Sequence, residues 1–495
     1  MRLRTVAVLG GGPGGLYTAR LLRLRMPDCD VRLIEQIEPR HTFGFGVGLA
    51  TRTQRNLQAA DAESFEGILS IAHSHEMSMV VDGHAVTLAS DDLIAVSRSQ
   101  LLDVLREHAA AAGVRLEYGD RGCATELAGE VDLVIAADGV SSATREELPV
   151  VGSSVTTADA LYLWAGTDIA LPTALFAPAT TEHGTFVAHA YPYAADRSTF
   201  LVETDEETWR RAGFDVTTEQ TPYDGDDQVA LDYLSDAFAD HLHGHRLIGN
   251  RTRWMRFRTI SCERWHDRNV VLLGDAVHTA HYSIGSGTKL AMEDGIALVD
   301  ALDAAPDLET ALTEYEIARR PAVEHLQSTA LRSMRWWDSF AARLDLPVER
   351  LWVAYMTRAG KVSLDRFAVT APEVVGRAVA HYAGRADIPA DGLVDWVFRH
   401  QSPGVGELPE VFVDIDDPWG PAADTLIKDI DATAVLLTSD DDRESVLTML
   451  DVAERIRQET AARVEVLVPG AERELGAAAL VSGRADAVRL RNEAG

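Results

Sequence analysis

Hydrophobic residues follow two rhythms along this chain. The first is a short apolar run closed by glycine or an acid, as in TVAVLG, VRLIE, VDLVIAADG and VVLLGDAV. Runs of this kind predict strands buried on both faces of a parallel sheet. Between them, LYTARLLRLRM and SRSQLLDVLREHAAAAGV carry apolar residues at helical spacing. The opening is therefore a βαβ unit, the start of a doubly wound sheet continuing to about residue 150. The second rhythm is alternation, in LYLWAGT, GTFVAHAYPY and STFLVET, and it predicts an antiparallel sheet over 155–260. After it VVLLGDAVHTAHYSIGSG restores the first style and LAMEDGIALVDAL is helical, so the antiparallel domain is an insertion that splits the first domain.

The expected fold class is α/β. A doubly wound domain occupies 1–154 and 261–330, the inserted sheet 155–260, a helical region 331–404 and a small β/α tail 405–495. Trp336, Trp337 and Trp352 in the helical region read as packing anchors. The Pro/Gly/Asp-rich passage from Ser402 to Pro421 reads as a linker. The start, MRLRTVAVLGGGPGG, has basic residues ahead of an apolar run as a signal peptide would, but Val6–Leu9 is short and reads as a buried strand. No run of eighteen apolar residues occurs, so no membrane helix is expected.

Charge and cysteines narrow the class. The net charge is -31, from 77 acidic and 46 basic residues, which disfavours nucleic acid and anionic membrane surfaces as partners. An anionic substrate needs a local basic patch. Cys29, Cys123 and Cys262 lack metal-ligand or CxxC spacing, so neither a metal site nor a disulfide framework is expected and a reducing, cytoplasmic setting fits.

Three segments carry binding chemistry. Gly10, Gly12, Gly14 and Gly15 form a GxGxxG-type turn between a strand and a helix, and Glu35 ends the next strand. Such a turn brings backbone N–H groups and a helix N-terminus to a dinucleotide pyrophosphate, while the acid accepts from a ribose. The second segment is DLVIAADGVSSATR, with Asp138 after a buried strand and Ser142 and Arg145 following. The third places Asp275 at a strand end and Gly285 and Gly287 at a helix start.

In this order the segments resemble the single-component FAD aromatic hydroxylases, the family of para-hydroxybenzoate hydroxylase. The resemblance implies FAD, with Asp275 at its ribityl chain, Gly285 and Gly287 by the flavin ring, Asp138 in a groove shared with the pyridine nucleotide, and Arg98 helping to hold the cofactor. Tyr282 stands where that family usually has a proline. TAHYSIGSGTKLAMED instead resembles the subgroup of salicylyl-CoA hydroxylases and the monooxygenase part of anthraniloyl-CoA monooxygenase/reductase. TFGFGVGLATRTQRNLQAAD, FVAHAYPYAADRSTFLVE and MTRAGKVSLDRFAVTAPEVV point the same way, over about residues 1–375. HAYPY and SIGSG are also similar to the violacein-pathway tryptophan hydroxylase. The tail resembles the last β/α units of the old yellow enzyme barrel, although about ninety residues cannot close a barrel that typically needs about 250. A shortened remnant without its own flavin and an unrelated β/α extension both remain open.

The chemistry so implied is hydroxylation of an activated aromatic ring with NADH or NADPH and O₂ through a flavin C4a-hydroperoxide, on an aryl-CoA thioester of salicylyl or anthraniloyl type. Tryptophan or an indole, a carrier-protein-bound aryl thioester, and a noncatalytic flavoprotein scaffold are the alternatives, and a homodimer stays open. Groups able to withdraw a proton from the ring substituent are His189 and Tyr191, with Tyr193 on the same strand face, and His281 and Tyr282 in the third segment. Each is equally readable as a hydrogen-bonded wall residue. His278 reads as a loop-fixing group, and Arg40, His41, Arg52 and Arg55 as a basic cluster for a thioester's phosphates or for surface ion pairs.

Overall fold

The computed structural model describes residues 3–38, 44–89, 93–285 and 287–491. They gather into two compact units, one of 1–77 with 90–334 and one of 78–89 with 335–495.

The first unit is built on a six-stranded sheet. At its centre Thr5–Leu9 lies parallel to Asp30–Glu35 on one side and to Leu133–Ala136 on the other, and Val270–Leu272 continues the parallel order beyond Leu133–Ala136. Val8, Leu33, Ile135 and Leu272 are all buried, which is why these strands read as unbroken apolar runs. The helix Pro13–Arg25 crosses the helix Gly287–Ala304 so closely that a Cβ on Gly14 would come within 2.9 Å of the Ala291 Cβ. That crossing brings the glycine turn and the third segment together.

The insertion is an antiparallel sheet in the order Ala174–Thr181, Gly184–Ala194, Arg197–Thr204, Ser153–Thr167, with Trp254–Cys262 also pairing along the last strand. The GFG segment of the doubly wound part is stitched to it. Tyr191 Oη donates to Gly46 O at 2.8 Å, Gly46 N to Thr199 Oγ1 at 2.9 Å, and Asn250 Nδ2 to Gly44 O at 3.0 Å.

In the second unit four parallel strands, Glu410–Phe412, Ala434–Thr438, Arg463–Pro469 and Ala487–Arg491, lie side by side in chain order. Trp352 is fully buried and its Nε1 donates to Val86 O at 2.9 Å, which ties 78–89 into this unit. Trp336 and Trp337 are buried within an aromatic cluster with Phe340 and Tyr355, a packing role. The helical region and the tail, delimited separately in the sequence, pack as one body. The helix Arg473–Ser482 of the tail lies against the helices Val348–Thr357 and Leu393–Arg399. The passage Ser402–Pro421, expected as a linker, is instead part of the sheet structure. It contributes the edge strand, and Val405 N donates at 2.7 Å to the wholly buried Glu465 carboxylate, which Arg489 also grips at 2.8 Å. No helix among the described residues is long and apolar enough to cross a membrane.

Candidate active site

The glycine turn opens where the first strand ends. Gly15 is obligatory for the fold, since a Cβ there would meet Gly10 O at 2.0 Å. Gly12 is different: its φ of -72° and ψ of 176° suit any residue, and a Cβ there would meet nothing within 4 Å. The room in front of Gly12 is what a pyrophosphate approaching the helix N-terminus requires. Gly139 and Gly285 likewise have nothing within 4 Å of a built Cβ. Glu35 reaches back to the turn, where its Oε2 accepts from Gly11 N at 2.6 Å and its Oε1 from Ile37 N at 2.7 Å.

Two opposite charges lie near enough to act on each other. Arg98 starts the helix Arg98–Ala111, and its N–H donates to Phe45 O at 2.8 Å. Asp275 sits in the turn Gly274–Ala276 directly after the strand Val270–Leu272. Among the described residues neither side chain makes a hydrogen bond or ion pair, yet burial is the main influence on both. It pulls the Arg98 guanidinium down, against Asp275 and Tyr191, and pushes the Asp275 carboxyl up, against His278 and Arg98. Asp275 nevertheless keeps open surface before it. Asp275 is thus open to solvent and Arg98 half-buried, while the protein packed around both desolvates them.

This donor set fits FAD. The open glycine positions take the diphosphate, the Asp275 carboxylate accepts from a polyol chain, and the Arg98 guanidinium offers donors to anionic or carbonyl oxygens. Gly287, the first residue of its helix, leaves that helix's N-terminal amides beside the same segment.

The Asp275 turn is clamped from behind. Asp294, fully buried, accepts from Gly274 N at 3.1 Å, from His278 Nε2 at 2.7 Å and from Arg319 Nε at 2.8 Å. Burial opposes its ionisation, but His278 and Arg319 hold its carboxyl below the ordinary aspartate range. His278 therefore bonds within the clamp. Asp138 is occupied locally, accepting from Ser142 Oγ at 2.6 Å and Thr144 Oγ1 at 3.0 Å. Arg145 links the second and third segments by donating to Val140 O at 2.9 Å and Ala276 O at 2.8 Å.

On the antiparallel sheet, His189 and Tyr191 point from one strand and Glu203 from the next. Glu203 pairs in register with Tyr162 on one side and Val187 on the other. His189 Nε2 lies 2.9 Å from Glu203 Oε2, off the ideal hydrogen-bond angle. Tyr282 Oη donates to Glu203 Oε1, and His281 Nε2 stands 3.8 Å from the same oxygen. Tyr162 packs on Tyr282 with ring centres 4.8 Å apart, and Phe257 on His281 at 4.9 Å. His189, His281 and Tyr282 thus converge on one acid. Tyr191 is held apart from them by its bond to Gly46, with burial pushing its hydroxyl up to about 12. Tyr193 packs with Phe45 and Ala95.

Glu203 is the residue that sequence reading missed. It is the acid directly after the apolar stretch STFLV, and a shift of register between Pro192 and Ala194 means that counting back from the hairpin turn would not have brought it onto the face of His189. Of the basic cluster, Arg52 and Arg55 are exposed on the helix Thr51–Ala60, while Arg40 and His41 lie outside the described residues. Arg52 borders a surface cleft of about 390 Å³ with Arg25, Asn56, Glu293, Asp300 and Arg319, which neither Arg98 nor Asp275 lines. We assign the chemistry to the surroundings of Arg98 and Asp275, because the open glycine positions lie in the same three segments.

Comparison with known proteins gives the chain its family. Residues 129–330 match the FAD binding domain family, a span that includes the second segment, the inserted sheet and the third segment. The chain is 39% identical over 338 residues to salicyloyl-CoA 5-hydroxylase from Streptomyces sp, a match covering 68% of this chain and 65% of that protein's length. It is also 39% identical over 360 residues to 3-hydroxy-4-methyl-anthranilyl-[aryl-carrier protein] 5-monooxygenase from Streptosporangium sibiricum, covering 72% of this chain and 95% of that one. In fold it is similar to the tetrameric form of 2-methyl-3-hydroxypyridine-5-carboxylic acid oxygenase, with a TM-score of 0.56 at 18% identity over 72% of this chain and 96% of that one. With a relative this similar across nearly its whole length, the chain belongs to the FAD-dependent aromatic monooxygenases.

Proposed function

We propose that this protein hydroxylates an aromatic ring carried as a CoA thioester, a salicyloyl or anthraniloyl group, using FAD, NADH or NADPH, and O₂. The observation that carries the reading is the desolvated pair Arg98 and Asp275, whose side chains bond to none of the described residues, together with the open glycine positions of the same segments. The names of both relatives describe an aromatic acyl group joined to a thiol carrier, which supports the thioester. Their names differ in the carrier, CoA in one and a carrier protein in the other. Cytoplasmic NADH or NADPH is the reductant in this reading.

When bound, FAD supplies the activation of O₂ and the insertion of one oxygen atom into the ring. The chain's own groups do the rest. Gly10–Gly15, Glu35, Arg98 and Asp275 bind and orient the cofactor. The buried rings of His281 and His189, with half-buried Tyr162, Phe257 and Tyr282, keep water from the reacting carbon. Acceptors among His189 and Tyr282 draw on the proton of a ring hydroxyl or amine, which enriches the ring carbons in electron density.

The test is NADH and NADPH oxidation by the FAD-loaded protein, with product analysis, in the presence of salicyloyl-CoA, a carrier-protein-bound salicyl group, free salicylate, or tryptophan. Hydroxylated salicyloyl-CoA formed in proportion to the nucleotide consumed is expected. Turnover with salicylate or tryptophan alone overturns the thioester, and turnover with the protein-borne group alone overturns CoA as the carrier.

A further inference from the structure

The Arg98 side chain bonds to none of the described residues, so what aims this long cation is the backbone that carries it. That backbone is tied to the GFG segment. Arg98 N donates to Phe45 O at 2.8 Å, and the residue before it, Ser97, pairs with Gly46 in the antiparallel ladder of Gly46–Leu49 with Ile94–Ser97. Gly46 is in turn gripped by the inserted sheet at both of its backbone polar groups. Its N–H donates to Thr199 Oγ1 at 2.9 Å, and its carbonyl accepts from Tyr191 Oη at 2.8 Å. Tyr191 and Thr199 stand opposite each other in register on neighbouring strands, so their two hydroxyls act as one clamp.

The clamp has little play. Gly46 is buried, and a Cβ on it would come within 2.7 Å of the Tyr193 ring, which leaves the segment no room to move toward the sheet. Two residues earlier, Gly44 O is held by Asn250 Nδ2 at 3.0 Å. His75 stacks on the Tyr191 ring with centres 6.1 Å apart. Loss of either hydroxyl would strand a buried backbone group of Gly46 without its partner, and the segment would have to shift to satisfy it. A shift there is passed to Arg98 through a ladder pair and one hydrogen bond.

We propose that Tyr191 and Thr199 are positioning residues for the cofactor: they hold Gly46 where the backbone of Arg98 aims its guanidinium at FAD. The inserted sheet thereby sets how tightly the doubly wound part grips its dinucleotide. The inference rests on the reading of Arg98 as a cofactor-binding group. It gives Tyr191 a place in the support of FAD, through a hydroxyl hydrogen committed to Gly46 O.

The experiment is a double-substitution cycle read as FAD affinity, by titrating cofactor-free protein and following flavin fluorescence. Arg98→Met, which keeps the stem and removes the charge, is expected to weaken FAD by about tenfold or more. Tyr191→Phe should weaken it by about three- to tenfold. In the Arg98→Met background the same Tyr191→Phe change should cost less than about twofold, because a misaimed arm matters only while it carries its charge. Thr199→Val should behave as Tyr191→Phe does and takes its place in the cycle if Tyr191→Phe does not fold, while Thr199→Ser, which keeps the hydroxyl, should bind FAD as the wild type does. An equal loss with and without the Arg98 charge overturns the proposal, since it marks hydroxyls that support the fold alone. Wild-type FAD affinity in both Tyr191→Phe and Thr199→Val overturns it as well. Arg98→Met that binds FAD as tightly as the wild type removes Arg98 from the cofactor site, and the proposal falls with that reading.

Discussion

Replacing Gly12 with valine should separate cofactor binding from folding. The position has an extended backbone conformation that β-branched residues adopt without strain, and a Cβ there meets nothing within 4 Å. Unfolding of the cofactor-free protein should therefore change by no more than about 0.5 kcal/mol, or improve slightly because the unfolded chain loses freedom. The cofactor is affected differently. If the space in front of Gly12 is where the diphosphate lies, two methyl groups overlap it, and overpacking of that size costs about 1–3 kcal/mol, or roughly 5- to 150-fold in affinity. Gly15→Ala is the contrasting control, since its Cβ would stand 2.0 Å from Gly10 O and the turn itself must give way. Thermal unfolding of the cofactor-free proteins and titration of FAD by flavin fluorescence measure the two effects separately. A Gly12→Val protein that binds FAD as tightly as the wild type would refute the placement of the diphosphate at this turn.

Asp294→Ala leaves Arg319 and His278 facing a vacancy and should cost about 3–5 kcal/mol, a fall in Tm of roughly 6–10 °C for a body of this size. FAD should also bind more weakly because the Asp275 turn loses its clamp; an unchanged Tm and FAD affinity would contradict this. The Asp294 carboxyl is held below its ordinary value of about 3.9, so its contribution is complete above that pH and is lost as the pH falls further, a loss that acid unfolding of the wild type should show and Asp294→Ala should lack. His281 acts at milder pH. It is folded in neutral with its pKa carried down to about 4, while the unfolded chain takes up the proton near 6.5, so stability drops by up to about 3 kcal/mol as the pH falls through that window. Urea unfolding at several pH values should show a shallower slope for His281→Gln, and an identical slope removes the assignment. Truncation after residue 404 should give an aggregating protein, because it removes the helix Arg473–Ser482 that packs on Val348–Thr357 and Leu393–Arg399; a soluble, monodisperse product by size-exclusion chromatography would show that those helices stand alone.

The strands Thr5–Leu9, Leu133–Ala136 and Val270–Leu272 were legible because parallel strands buried on both faces leave an unbroken apolar signature ended by glycine or an acid. The inserted sheet was legible in its alternation, and His189 and Tyr282 stood out as polar groups in unusual surroundings. Glu203 was not legible, since what makes it matter is a cross-strand register and a loop 79 residues away, and neither is a local property. The same holds for Ser78–Ala89, which joins the second unit through a contact between Trp352 and Val86 across 266 positions. Ser402–Pro421 was misread because proline and glycine mark irregular backbone equally well whether it is solvated or tied down, and Glu465, the partner that ties it, comes 60 positions after Val405. Asp138 carried the right motif, but its local bonds to Ser142 and Thr144 depend on a turn geometry that a two-residue motif does not specify.

The three neighbouring strands at the heart of the first unit come from residues 5–9, 133–136 and 270–272. During synthesis the first of them must wait for more than half of the polypeptide before its sheet is complete, and the Asp275 turn emerges later still. The intervening antiparallel sheet pairs mainly with itself and can form earlier, so it stands ready while the nascent nucleotide cradle is open-edged. Supply of riboflavin-derived cofactor during expression should therefore raise the yield of native protein most by capturing the last-formed segment.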